Sequence, residues 1–144
     1  EEAASITKKV NYTIESYKML GKLDGDWDKL RVILETATGK PVSRNISTDE
    51  ITAEIDKLIK ADAKLFLAIA KDELLDAKVL LRLSVEYGIV KLKNKLFYTE
   101  DNNPLCDKGD ATLSVAAKYI SMPKNQELKL SLETRVKEIK DRKD

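Results

Sequence analysis

Few side chains in this sequence have the types and spacing that chemistry needs. Histidine is absent and Cys106 is the single cysteine, which excludes Ser/His/Asp and Cys/His catalysis, imidazole-bound zinc and an internal disulfide. Paired carboxylates remain. Asp24, Asp26 and Asp28 alternate as in a metal loop, yet they lack the following Gly and the bidentate Glu that an EF-hand requires, and capping of the next helix explains them better. Asp107, Gly109 and Asp110 read as turn and cap. Cys106, with no histidine to activate it, reads as a half-buried small apolar residue. Neither GxGxxG nor GxxxxGK[ST] occurs, because Gly21, Gly25, Gly39, Gly88 and Gly109 stand singly near the ends of periodic segments. The expectation is no catalytic residue, no cofactor and no metal.

One basic constellation stands out, Lys91, Lys93 and Lys95, whose ammonium groups could contact about three phosphates. The competing reading is the solvated face of an edge hairpin, where lysine also blocks edge-to-edge pairing. The chain has 26 Lys and Arg against 25 Asp and Glu, a net charge of +1, so no global field draws it onto nucleic acid or an anionic membrane. Base reading would further need Arg, Asn or Gln on an exposed helix face, and the central helix supplies Arg82. Nucleic acid is therefore a possible partner but not the favoured one.

The elements that position these residues follow from periodicity. The 144 residues, 42% hydrophobic and 35% charged with five Gly and three Pro, suit one compact domain or two small helical units. Ile6, Val10, Ile14, Tyr17 and Leu20 form a stripe along a helix over residues 2–23. Asp24 and Asp26 offer N-caps for a second helix bearing Trp27, Leu30, Ile33, Leu34 and Ala37, stopped by Gly39 and Pro41. Ser47 to Glu50 is a capping box. The helix it opens buries Ile51, Ile55, Leu58 and Ile59, and Asp62 caps a continuation with Leu65, Phe66 and Ile69. From Glu73 to Tyr87 the apolar positions nearly encircle the helix, marking it as packed on more than one side.

After Gly88 the period becomes two. Val90 and Leu92, a turn at Asn94 and Lys95, then Leu96 and Tyr98 predict a short β-hairpin with those four apolar residues facing the helices. Asp110 is expected to cap a helix bearing Leu113, Ala116, Ala117 and Ile120, and Pro123 to open a last helix with the stripe Leu128, Leu132, Val136 and Ile139. The fold class is mainly α: a helical bundle with one short β-hairpin and a winged-helix-like C-terminal part. Residues 1–46 form an N-terminal helical hairpin and residues 47–144 a helical domain that carries the β-hairpin. The longest apolar runs, Leu65 to Ala70 and Val79 to Leu81, fall far short of the ~20 residues a membrane span needs, and no membrane contact is expected. The first residue, Glu1, is not Met and lacks a basic or apolar leader pattern, which reads as a processed end or the edge of an ordered part.

From about Ile51 onward the sequence resembles a small helical domain of tailed-bacteriophage virion-associated and hypothetical proteins. The residues that carry the likeness are Asp62 with Leu65 and Phe66, Lys78, the run Tyr87, Gly88 and Ile89, Tyr98, Pro104 and Leu105, Tyr119, and Pro123 to Glu127. Cys106 stands where that pattern usually has Gly. The resemblance implies a phage origin and no known catalytic activity, with the virion, or the host cytoplasm during assembly, as location. The hairpin and following helix also look faintly like the small terminase subunit, a DNA-packaging protein. Two functions follow as expectations. The first is a non-enzymatic structural or assembly protein that meets other phage proteins or further copies of itself through helix stripes. Its candidate interface is Ile6, Val10, Ile14 and Tyr17, with Leu128, Leu132, Val136 and Ile139, since each stripe either packs internally or awaits a partner. The second is a winged-helix-type DNA-binding module in packaging or regulation, using Lys91, Lys93 and Lys95.

Overall fold

Short polar side chains set where the helices begin. The structure, a computed structural model, describes residues 2–143, with side chains over 6–142. Its first part holds α1 (Glu2–Lys22), α2 (Trp27–Thr38) and α3 (Thr48–Ala70). Asp26 accepts from the Lys29 N–H at 3.3 Å to open α2, and Gly39, left-handed at φ 71°, closes it by donating its N–H to the Glu35 carbonyl at 2.8 Å. Ser47 Oγ accepts from the Glu50 N–H at 3.1 Å and opens α3. Within α3, Asp62 leaves the helical region (φ −156°, ψ 78°) and accepts from the Leu65 N–H at 3.1 Å, so the continuation beyond it is a second helical stretch with its own cap.

Both α1 and α2 pack on α3. The buried face of α3 is Ile51, Ile55, Ile59, Ala63, Phe66 and Leu67. Leu65, expected inside, is exposed. It lies two residues from both Ala63 and Leu67, and residues two apart on a helix do not share a face. α1 turns Ser16 inward, with Leu23 buried just past its end, and the Ser16 hydroxyl donates to the Ala63 carbonyl at 3.2 Å, which makes a fully buried serine tolerable. In α2 five consecutive residues, Leu30 to Leu34, are buried, with Arg31 bonded to Asp28 at 3.3 Å. The contacts divide the chain into two compact units between Leu75 and Asp76. The boundary expected after residue 46 therefore lies inside the first unit, because the connection there joins two helices that pack on each other.

The second unit comprises α4 (Leu75–Glu86), which opens at the boundary, β1 (Lys91–Lys93), β2 (Leu96–Tyr98), α5 (Leu113–Ser121), a 3-10 turn (Pro123–Asn125) and α6 (Gln126–Lys143). In α4, Leu75, Ala77, Leu80, Leu81, Leu83 and Ser84 are buried, a distribution that needs packing on more than one side. Gly88, at φ 74°, then turns the chain so that the N–H groups of Ile89 and Val90 both reach the Ser84 carbonyl, at 2.8 and 3.1 Å.

The hairpin forms where expected, with a different inward face. Asn94 (φ 52°) and Lys95 (φ 66°) make a two-residue loop with both centres left-handed. That loop sets Leu92 opposite Phe97 and Lys93 opposite Leu96. Residues directly opposite share a face, so Leu92 cannot share one with Leu96 and Tyr98 as the alternation predicted. Phe97 is the buried residue, at 3%, and Leu92 is 40% exposed. The free edge of β2 is also used: Phe97 donates to the Ala111 carbonyl at 2.8 Å and accepts from the Leu105 N–H at 3.0 Å, beside a bridge between Tyr98 and Pro104. α5 is capped by Thr112, which accepts from the Val115 N–H, and not by Asp110, which lies two residues ahead of the cap position. Pro123 opens the turn into α6. No helix among the described residues is long and apolar enough to cross a membrane.

Two outcomes follow from this packing. Leu81 is fully buried, and Leu81→Ala lowers the unfolding free energy by about 2–5 kcal/mol in denaturant titration. Lys95 holds a left-handed conformation that disfavours a side chain, so Lys95→Gly raises stability by about 1 kcal/mol.

Candidate interaction surfaces

The face of α1 that meets α3 is marked by Ser16, with Tyr12, Met19 and Leu20 half-buried beside it. The apolar stripe that the sequence shows most clearly lies elsewhere on the same helix, more than a third of a turn away at 3.6 residues per turn. Ile6 is 62% exposed, Val10 and Ile14 each 50% and Tyr17 39%. α1 is thus apolar on two sides, and only one is covered by α3. At one end of the open stripe the Tyr17 hydroxyl donates to Asp56 Oδ1 at 2.5 Å, while Lys60 Nζ lies 2.9 Å from Asp56 Oδ2. The hydrogen bonds from Tyr17 and then Lys60 hold the Asp56 carboxyl below the usual range, and the same carboxylate raises the Tyr17 phenol and the Lys60 ammonium.

The stripe of the last helix behaves differently. Leu132 and Val136 are buried and Leu128 and Ile139 half-buried. Leu128 and Leu132 line one cleft of about 280 Å³ with Ile89, Val90 and Leu105, and Arg135 pairs with Glu100 at its wall. Leu132 and Val136 are therefore taken up in the chain's own core, while Leu128 and Ile139 keep part of their surface in solvent. Leu130, which is off that stripe, is instead 64% exposed; no periodic signal marks it, since a lone apolar residue on a charged face has no repeat. A second feature that periodicity does not register is the connection after α2. It leaves a cleft of about 490 Å³ with Leu34, Val42 and Ile46 in its lining and Glu50 and Glu54 at its wall.

The three lysines divide two to one. Lys91 and Lys93, two apart on β1, both place Nζ 3.2 Å from Asn102 Oδ1, while Lys95 occupies the exposed turn. Asn102 reaches them from the loop after β2, at φ 66°. A neutral amide oxygen accepts both ammoniums without cancelling either charge. Two other basic groups of this unit are ion-paired: Arg135 with Glu100, and Lys124 with Asp107 at 2.8 Å, a pairing that raises the Lys124 ammonium. Asp26 serves as a cap and Asp28 pairs with Arg31. Cys106 Sγ donates to the Gly109 carbonyl at 3.3 Å. Among the described residues no group of three acidic, Cys or His side chains is placed to hold a metal.

The Asp56 cluster sets a pH dependence with a definite sign. A carboxyl whose folded-state value is lowered contributes stability that is full above the ordinary carboxylate range and fades as pH falls through the lowered value. The stability difference between the native chain and Asp56→Asn therefore shrinks on acidification in urea titrations. In the same variant, alkaline titration of tyrosine absorbance moves one component back toward the ordinary phenol range.

Comparison of the chain with protein-family models, with curated proteins and with solved structures finds no match.

Proposed function

We propose that this chain is a non-enzymatic structural or assembly protein of a tailed-phage virion, acting through helix-mediated protein–protein contacts. The observation that carries the reading is the open stripe Ile6, Val10, Ile14 and Tyr17 on α1. Removing apolar area from water is the main driving force of association, and contiguous apolar patches on a protein surface mark contact sites. The likeness of the sequence from Ile51 onward to phage virion-associated proteins supplies the setting, the virion or the host cytoplasm during assembly. The balanced charge agrees with contacts made by packing in preference to electrostatic attraction.

Quantitative mass spectrometry of purified virions from a phage encoding this chain tests the reading. The chain is expected at a fixed copy number per particle. Val10→Asp, at a half-exposed position, changes unfolding free energy by about 0.5 kcal/mol or less, yet removes the chain from particles. A chain abundant in infected lysate and absent from both virions and assembly intermediates overturns the proposal.

A second reading, a DNA-binding module in packaging or regulation, draws on the meeting of Lys91 and Lys93 at Asn102. Fluorescence anisotropy with duplex DNA separates the two. The expected result is no saturation in the low micromolar range at physiological salt. Tight binding that weakens steeply with salt and is lost on replacing Lys91, Lys93 and Lys95 by Ala favours the DNA reading.

A further inference from the structure

We infer that the α1 stripe is covered by a second copy of this chain, α1 packing antiparallel on α1 about a two-fold axis beside Ile14. The inference rests on the proposed reading of that stripe as a protein contact surface and names its partner. Two observations besides exposure carry it.

The first is Gly21. It is the next-to-last residue of α1 and lies on the side of the stripe, four residues beyond Tyr17 and seven beyond Ile14. Its backbone is not left-handed, and a Cβ built there meets nothing within 4 Å. Glycine within a helix weakens it relative to alanine, and neither a turn nor a close neighbour inside the chain requires one here. A glycine on a helix surface does one other thing: it leaves a dent that another helix can fill.

The second is the symmetry of the spacing. A contact between identical copies across a two-fold axis needs a surface complementary to itself. Val10 and Tyr17 are equidistant from a point between Thr13 and Ile14, and so are Ile6 and Gly21. Antiparallel packing therefore sets Val10 of one copy against Tyr17 of the other and Ile6 over the dent at Gly21, with the two Ile14 side chains meeting near the axis. Ile6 fills the dent at Gly21, Val10 packs on the larger Tyr17, and like meets like at the two Ile14 side chains. The macrodipoles of the two helices are opposed, which is favourable.

Area sets the strength. The exposed fractions of the four apolar side chains leave open on the order of 400 Å² per copy. Two copies then bury about 800 Å² in total, below the roughly 1,000 Å² of a stable specific interface, so the contact is a weak, transient dimer. No charged residue lies on the stripe between Ile6 and Gly21, so the dimer is insensitive to salt, unlike any contact made through the lysines.

Sedimentation equilibrium of the full chain across the micromolar range tests this. The expected result is a monomer–dimer equilibrium unchanged by added salt. Val10→Asp abolishes it, and Gly21→Leu, which fills the dent, raises the dimer dissociation constant roughly tenfold or more; circular dichroism and unfolding midpoints show that both variants remain folded. Orientation is read by cross-linking in a Cys106→Ser background. Ile14→Cys forms a disulfide dimer with itself, and Ile6→Cys couples to Gly21→Cys in a mixture but not to itself. A dimer untouched by Val10→Asp, or Ile6→Cys coupling to itself, overturns the inference. A chain that stays monomeric overturns it too. In that case Val10→Asp still lost from virions leaves the protein-contact reading standing, and Val10→Asp incorporated normally removes both.

Discussion

The first unit depends on one apolar face, that of α3. Ile51, Ile55 and Ile59 on one side of the break and Ala63, Phe66 and Leu67 on the other make a continuous floor on which both α1 and α2 rest. A helix can offer that floor along only part of its circumference. α1 meets it with the side that carries Ser16, and the price is that the more strongly apolar side of α1 stays in water. What makes the α1 stripe noteworthy is thus the geometry of α3, which has no further face to give.

Phe97 plays the comparable part in the second unit. A two-stranded hairpin is marginal alone, and this one is fixed by a residue whose side chain is buried and whose backbone groups bond outward to Ala111 and Leu105. The same turn that inserts Phe97 sends Lys91 and Lys93 to the other face, where the loop at Asn102 meets them. Core formation and the local basic cluster are consequences of one register.

How much of this is legible in the sequence depends on the range of the cause. Caps at Asp26, Ser47 and Asp62 are local, one side chain and one N–H three residues on, and each stands where the residue types place it. The hairpin is legible from its period, but its inward face depends on the parity of the loop: two residues at Asn94 and Lys95 pair Leu92 with Phe97, and an apolar alternation read along each strand separately cannot show that. Leu65 escapes for a similar reason, since apolarity alone does not say which of Leu65 and Leu67 continues the face. The stripes of α1 and α6 are equally clear as patterns. Which of them stays open is a tertiary matter, decided by what α3 and the core around Leu105 already cover.

The break at Asp62 has a consequence for how order in the first unit is held. Helix formation is cooperative with a costly nucleus, and isolated segments shorter than about 12–15 residues are marginal in water. Interrupting the hydrogen-bond ladder at Asp62 leaves Lys64 to Ala70 as a segment of that marginal kind. Its persistence is borrowed from α1, through the Ser16 hydroxyl on Ala63 and the pairing of Glu15 with Lys71. Amide hydrogen exchange across this unit is then graded, slowest around Ile55 and Ile59, with the stretch after Asp62 opening as soon as α1 lifts away.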